Sequence, residues 1–277
     1  MEAIGIARYC RGMMDTIRPV GDLLREWRQR RRLSQLDLAC EAEISTRHLS
    51  FLETGRSRPS REMVLHLAEQ LDIPLRDRNV LLQAAGFAPV FPERPLDDPA
   101  LHAARLAIDQ VIAGHEPYPA VAVDRHWTLI AANDATRRLL MGVDATLLRP
   151  PVNVLRLALH PQGLAPRTAN LGEWRAHLLA RLRRQIEVSG DPVLGRLLRE
   201  LSEYPAPKDA HDGVGDSAAV VVPFRLITDS GVLAFFSTIT VFGTPVDITL
   251  SELALEAFYP ADAATAEALR PVTPPSR

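Results

Sequence analysis

The sequence predicts an all-α domain over residues 19–88 followed by an α+β domain over residues 99–270, and three observations lead there. In the first part, apolar residues recur at three- and four-residue spacing behind serines; in the second, short runs of strand character stand among amphipathic helices. Between them Pro89, Pro92, Pro95 and Pro99 punctuate the chain, and so much proline predicts a short, stiff, extended linker over residues 89–98. Residues 1–18 have no periodicity and residues 271–277 are rich in proline, so both ends are expected to be tails.

Leu23, Leu24, Trp27 and Leu33, with polar residues between, predict a first helix from about Gly21 to Arg31. Ser34 then opens S-x-x-D with Asp37, a capping box, and Ser45 stands where the next helix needs an N-cap. Leu38, Ala39, Ala42, Ile44, Leu49 and Leu52 lie at the spacing that two helices need to pack across a tight turn. Ala39 is small at the crossing, and Leu49 and Leu52 share the inner face of the second helix. Ser60 caps a fourth helix with the stripe Val64, Leu65, Leu67, Ala68 and Leu71, which ends before Ile73-Pro74. A fifth runs from about Leu75 to Ala85. A pair of this kind is a helix-turn-helix, whose second helix lies in the DNA major groove. The alternative, an antiparallel helix pair with no such role, is weighed by charge. Between Ser45 and Arg61 stand Arg47, Arg56, Arg58 and Arg61 against the single acid Glu53, a local basic face suited to phosphates.

The motifs L-x-x-W-R-x-x-R-x-x-S-Q-x-x-L-A, I-S-x-x-x-L-S-x-L-E-x-G and R-P-S, from Gly21 to about Leu71, resemble the lambda-repressor-type (XRE) family. The resemblance implies that Gln35 holds a phosphate from the start of the second helix and that Thr46, Arg47 and Ser50 read bases, with His48 and Phe51 flanking them. Glu43 stands where that family usually places Gly in a left-handed turn, a conformation that costs other residues about 1 kcal/mol.

The 277 residues, 47% of them hydrophobic, suffice for two cores. A net charge of −2 means that the basic face is local and the rest of the chain nearly neutral or acidic. Cys10 and Cys40 are too few for a disulfide framework, and Cys40 falls inside the second helix, so reducing cytoplasm is the expected compartment. No run of eighteen apolar residues and no signal-peptide pattern is present, and no membrane association is expected.

In the second part, an apolar-rich helix is expected over Ala100 to Gly114. Strands follow over Ala120–Val123 and Trp127–Ala132, joined by the turn Asp124-Arg125-His126, and then a helix capped by Asn133 and running through Leu140. After the run Val152 to Leu159 come helices from Leu171 to Val188 and from Pro192 to Tyr204. A hairpin of Ala218–Ile227 and Val232–Phe242 turns at Thr228-Asp229-Ser230-Gly231. Leu233, Phe235, Ile239 and Val241 point one way and Val232, Phe236 and Phe242 the other, which predicts a strand covered on both faces, inside a sheet.

VAVDRHWTLIAANDATRRLL resembles the opening of a PAS-type sensor fold. With VNVLRLALHP, W-x-x-x-L-L-x-R-L-R-R-Q and FFSTITVFGTPVDITLSELALEAFYPAD, the whole resembles the MmyB-like ligand-binding domain. That resemblance implies a PAS-like pocket for a fatty acid or similar apolar molecule. Trp127, Phe235 and Ile239 are the natural apolar wall, although such residues at strand spacing are commonly plain core. Arg156, inside an apolar run, needs a partner, either a ligand carboxylate or one of Glu173, Asp191 and Glu200. Trp174 and Arg175 stand at the start of a long helix, where free amides favour anions.

No G-x-S-x-G, Walker loop, H-E-x-x-H or paired-cysteine spacing appears, so no enzyme, metal or resident cofactor is expected, and His211-Asp212 reads as a solvated turn. The sequence therefore points to a ligand-responsive, DNA-binding transcription regulator. Two alternatives stand beside it: a second domain that only dimerises, and one that holds a haem or flavin. A homodimer is expected, because one recognition helix covers one half-site.

Overall fold

The computed structural model describes residues 18–205, 222–229, 231–243 and 245–270. Residues 1–17 of the tail expected over 1–18, the tail expected over 271–277, Cys10, the His211-Asp212 turn and the first residues of the strand expected from Ala218 lie outside the described residues. Contacts divide the chain into two units, Met1–Pro92 and Glu93–Arg277.

The first unit is five helices: α1 (Val20–Arg30), α2 (Gln35–Glu41), α3 (Thr46–Glu53), α4 (Arg61–Gln70) and α5 (Leu75–Ala84). Each serine expected at a cap is at one. Ser34 and Asp37 form the reciprocal capping box of α2, at 2.8 and 3.1 Å, and the Ser45 and Ser60 hydroxyls accept from the His48 and Met63 amides. The three helices α1, α2 and α4 end alike, in a left-handed non-glycine residue: Arg32, Glu43 and Asp72. In each, the amide of the next residue, Leu33, Ile44 or Ile73, bonds back to the carbonyl of Arg28, Ala39 or Ala68, and that apolar residue packs onto the core. The cost of the left-handed residue is thus offset by satisfied carbonyls and a buried side chain. Leu24, Leu38, Leu49, Leu52, Leu67, Leu71 and Leu82 form the fully buried centre.

The expected linker is not a free spacer, because the residues between its prolines still carry amides and carbonyls. Asn79 of α5 receives the amides of Val90 and Phe91 on Oδ1 and donates Nδ2 to the Phe91 carbonyl at 2.7 Å. Within the second unit, Arg94 pairs with Asp247 at 3.0 Å, and Leu96 packs against the cluster that holds Ile108, Ile112, Leu253 and Leu255.

The second unit is built on five antiparallel strands, β1 (Ala120–Val123), β2 (Leu129–Ala132), β3 (Phe224–Thr228), β4 (Gly231–Val241) and β5 (Ala254–Pro260), in the order β2-β1-β5-β4-β3. Its helices are α6 (His102–Gly114), α7 (Asp134–Leu139), α8 (Val154–Leu159), α9 (Leu171–Ser189), α10 (Pro192–Glu203), α11 (Ile248–Ser251) and α12 (Ala263–Ala268). Small Ala120 and Ala122 let α6 approach one face, where Ile108 and Ile112 close a minor core with Leu253 and Leu255. The major core lies on the other face, where α8, α9 and α10 set Leu157, Leu178, Leu182 and Leu197 against Val121, Phe224, Leu233 and Phe235. Asn133 caps α7 as expected, and its buried amide also binds the Ala120 amide and the Tyr118 carbonyl, fastening β1 to α7.

Three expectations are corrected. Trp127 is not in a strand; it sits in a turn with φ 67°, held by Asp124, whose carboxylate receives the His126 and Thr128 amides, and β2 begins at Leu129. β4 does lie between two strands, yet only Leu233, Ala234 and Phe235 are buried. β3 pairs no further than Phe235, so Ile239 (47% exposed) and Val241 stand at the surface. Finally, β5 has no counterpart in the sequence reading although it occupies the middle of the sheet, between β1 and β4.

Candidate functional site

In the first unit, α3 presents Thr46, Arg47, His48, Ser50 and Phe51, with Arg47 exposed and the others half-buried. Phe51 is flanked by two guanidinium groups, those of Arg47 and Arg56, at 5.3 and 5.9 Å from its ring centroid. Arg56, Arg58 and Arg61 are exposed on the segment that follows. Glu53, the single acid of this stretch, is turned inward. Its carboxylate takes both Nε and Nη2 of Arg28, at 2.6 and 2.9 Å, and the Gln35 amide at 2.8 Å. The positive face is therefore not diluted by a surface carboxylate. Burial by itself pushes the Glu53 carboxyl up, but the hydrogen bonds from Arg28 and Gln35, with the charges of Arg28 and Arg25, outweigh it and hold the group below its ordinary value. This arrangement ties the start of α2 and the end of α3 to α1. The Arg28–Glu53 pair was not foreseen, because its partners stand 25 residues apart on different helices.

In the second unit, a cavity of about 100 Å³ opens between the sheet and α7, α8 and α9. Its wall includes Val121, Leu129, Leu139, Leu155, Leu157, Leu164, Leu178, Phe224 and Phe258. Trp127, Trp174 and Phe235, all expected at a binding site, line it. Trp174 stacks on His177 (5.3 Å) and leans on Phe224 (5.2 Å), and its indole Nε1 is buried without a hydrogen-bond partner among the described residues. Burial, followed by the charges of Arg181 and Arg184, holds the His177 imidazole below its ordinary value. Trp127 Nε1 donates to Gln185 at 2.8 Å, and the Arg181 guanidinium lies 4.3 Å over its ring.

One carboxylate stands in this apolar wall, that of Glu256 on β5, only 5% exposed. Arg181 and Ser237 both donate to its Oε1, at 3.1 and 2.8 Å. Sequence reasoning missed it with its strand. Once β5 is recognised, period-two alternation puts Glu256 and Phe258 on the same inward face.

Three expected ligand contacts are absent from the cavity lining. Arg156 forms a two-pronged pair with Glu200 (2.7 Å each), to which the Tyr204 hydroxyl also donates; burial and that carboxylate raise the phenol to about 12. Helix α8 has turned Arg156 toward α10 and away from the apolar face of its own run. Arg175 ties α9 to the end of α10 by donating to the Leu201 and Ser202 carbonyls. Ile239 is beyond the covered part of β4.

The family comparisons divide the chain as the fold does. Residues 19–81 match a helix-turn-helix domain, and residues 104–271, more than half of the chain, match the MmyB-like transcription regulator ligand binding domain. The chain belongs to the MmyB-like transcription regulator family. No curated protein matches it. The helix-turn-helix domain implies DNA binding and the MmyB-like domain a small-molecule ligand, which together make the architecture that of a ligand-responsive transcription regulator. Among the described residues no helix is long and apolar enough to cross a membrane.

Proposed function

We propose that this chain is a sequence-specific transcription regulator, not an enzyme, that acts in the cytoplasm as a homodimer and changes its operator affinity when an apolar molecule occupies the second unit. The observation that carries the reading is the apolar cavity, which a domain used only for dimerisation does not need. Its size weighs against haem or flavin, as does a lining that, among the described residues, includes neither histidine nor cysteine. For the fatty acid implied by the family resemblance, the wall supports an acyl tail. Among the described residues the lining offers no lysine, arginine or histidine to a head-group carboxylate.

The test is to identify by mass spectrometry what co-purifies with the chain, select an operator from random DNA, and titrate that DNA with and without the recovered molecule. An affinity change of about tenfold is expected, the middle of the usual range for coupled sites. A molecule that binds tightly and leaves operator affinity unchanged would remove the regulatory role.

A further inference from the structure

We propose that Phe51 is a specificity-determining residue of α3, whose ring meets the C5 methyl group of a thymine in the major groove. The proposal rests on the reading above that the chain binds a specific operator, and it names one base feature of that operator. Leu49, Leu52 and Glu53 face the interior of the first unit, so Arg47 and Phe51, four residues apart, share the opposite face of the helix. Phe51 is half-buried, yet it is not among the apolar residues packed against the core of that unit. Beside its ring lie the guanidinium groups of Arg47 and Arg56, at 5.3 and 5.9 Å. Both distances are near the outer limit of about 6 Å for such contacts, so the two cations border the ring without sealing it. The Phe51 carbonyl also receives the Arg56 and Ser57 amides, at 2.9 and 3.1 Å, which fixes the end of α3 and with it the place of the ring.

A phenyl ring offers neither donor nor acceptor, so it cannot read the hydrogen-bonding pattern of a base edge, nor can it hold a phosphate. The apolar feature that distinguishes a base in the major groove is the thymine methyl group, and an apolar side chain in contact with it reads thymine. Plain packing would set the ring on the core, where Leu49 and Leu52 already stand. As Arg47 and Arg56 turn to base and phosphate, the ring that they border is left to the methyl group. Residues four apart are about 6 Å apart along a helix, against about 3.4 Å per base pair, so the thymine lies within about two base pairs of the base that Arg47 reads.

The test begins with an operator selected from random DNA by the full chain. Each thymine in turn is replaced by deoxyuridine, which removes the methyl group and leaves the pairing face unchanged, and affinity is measured by fluorescence anisotropy at one salt concentration. One thymine, within about two base pairs of the position that loses its preference in Arg47→Ala, should show a loss of about fourfold, the value of one methyl group taken out of water. In Phe51→Ala that loss should vanish, with thymine and uracil bound alike, whereas Phe51→Leu, which keeps an apolar contact, should retain part of it. The scan of the wild-type chain decides if neither variant folds. A scan in which no thymine methyl matters, or a methyl effect unchanged in Phe51→Ala, would overturn this proposal and leave the regulator reading intact. If the full chain selects no sequence at all, both fall.

Discussion

Arg47 and Glu53 stand six residues apart on one helix and face opposite ways, and the difference assigns them different work. Arg47 is exposed at the start of α3, where a guanidinium can give guanine a bidentate pair worth about 1–3 kcal/mol of discrimination. Arg47→Ala should relax operator preference in a binding-site selection, whereas Arg58→Ala should weaken all sequences alike and lower the salt slope by about one. An unchanged preference in the Arg47 variant would end its base-reading role. Glu53 serves the fold: with its partner Arg28 also buried, Glu53→Ala should destabilise the first unit by about 3–5 kcal/mol, because it strands a buried guanidinium. Since its folded pKa lies below the ordinary glutamate value of 4.5, its stabilisation is present above that value and is lost as pH falls through the folded one. Thermal denaturation followed between pH 7 and 3 should show a steeper acid loss in the wild type than in Glu53→Gln.

At the scale of elements, the close crossing of α1 on the end of α3 depends on one small residue. A Cβ at Gly21 would lie 2.5 Å from the Leu52 carbonyl oxygen and 2.7 Å from that of Glu53, backbone atoms that cannot step aside. Gly21→Ala should therefore push α1 off α3 and cost about 1–3 kcal/mol, the usual range for overpacking. Chemical denaturation of the full chain, followed through Trp27 in α1, measures it, and stability equal to wild type would mean that the crossing is looser than described. In the second unit the corresponding device is the alanine pair of β1, which admits α6.

For the whole molecule, DNA recognition by a single helix-turn-helix is weak. Two copies that place their recognition helices about 34 Å apart, one turn of DNA, combine their contacts. The homodimer proposed above would draw on exposed apolar residues of the second unit, among them Leu106 and Val111 of α6, 48% and 56% exposed. Introducing glutamate at both, Leu106→Glu with Val111→Glu, should shift the full chain from dimer to monomer in sedimentation equilibrium and weaken operator binding about as much as losing one half-site. A dimer that persists in this variant would place the interface elsewhere.

The first unit was legible almost entirely from its residues, because its order is local. The caps Ser34, Ser45 and Ser60 and the helical stripes act within one or two turns of themselves, so the five helices follow without knowledge of the rest. Even the strained turn at Glu43 could be placed by motif position. The second unit was legible as an α+β domain with α6, α7, α9 and α10 in order, and of the residues singled out there Trp127, Trp174 and Phe235 lie in the cavity lining. What the sequence by itself determined is thus the local framework and the chemistry available to it. Only the tertiary structure decided which partner each long-range group met. Leu-Glu-Ala-Phe in β5 has weak strand preference and becomes a central strand through pairing with β1 and β4; Arg156, with several acids in reach of its chemistry, went to Glu200; and Glu53 and Glu256, acids by composition, were turned into the interior. Strand pairing, ion pairing and burial are set by groups distant along the chain, and a single sequence holds no local record of those distances.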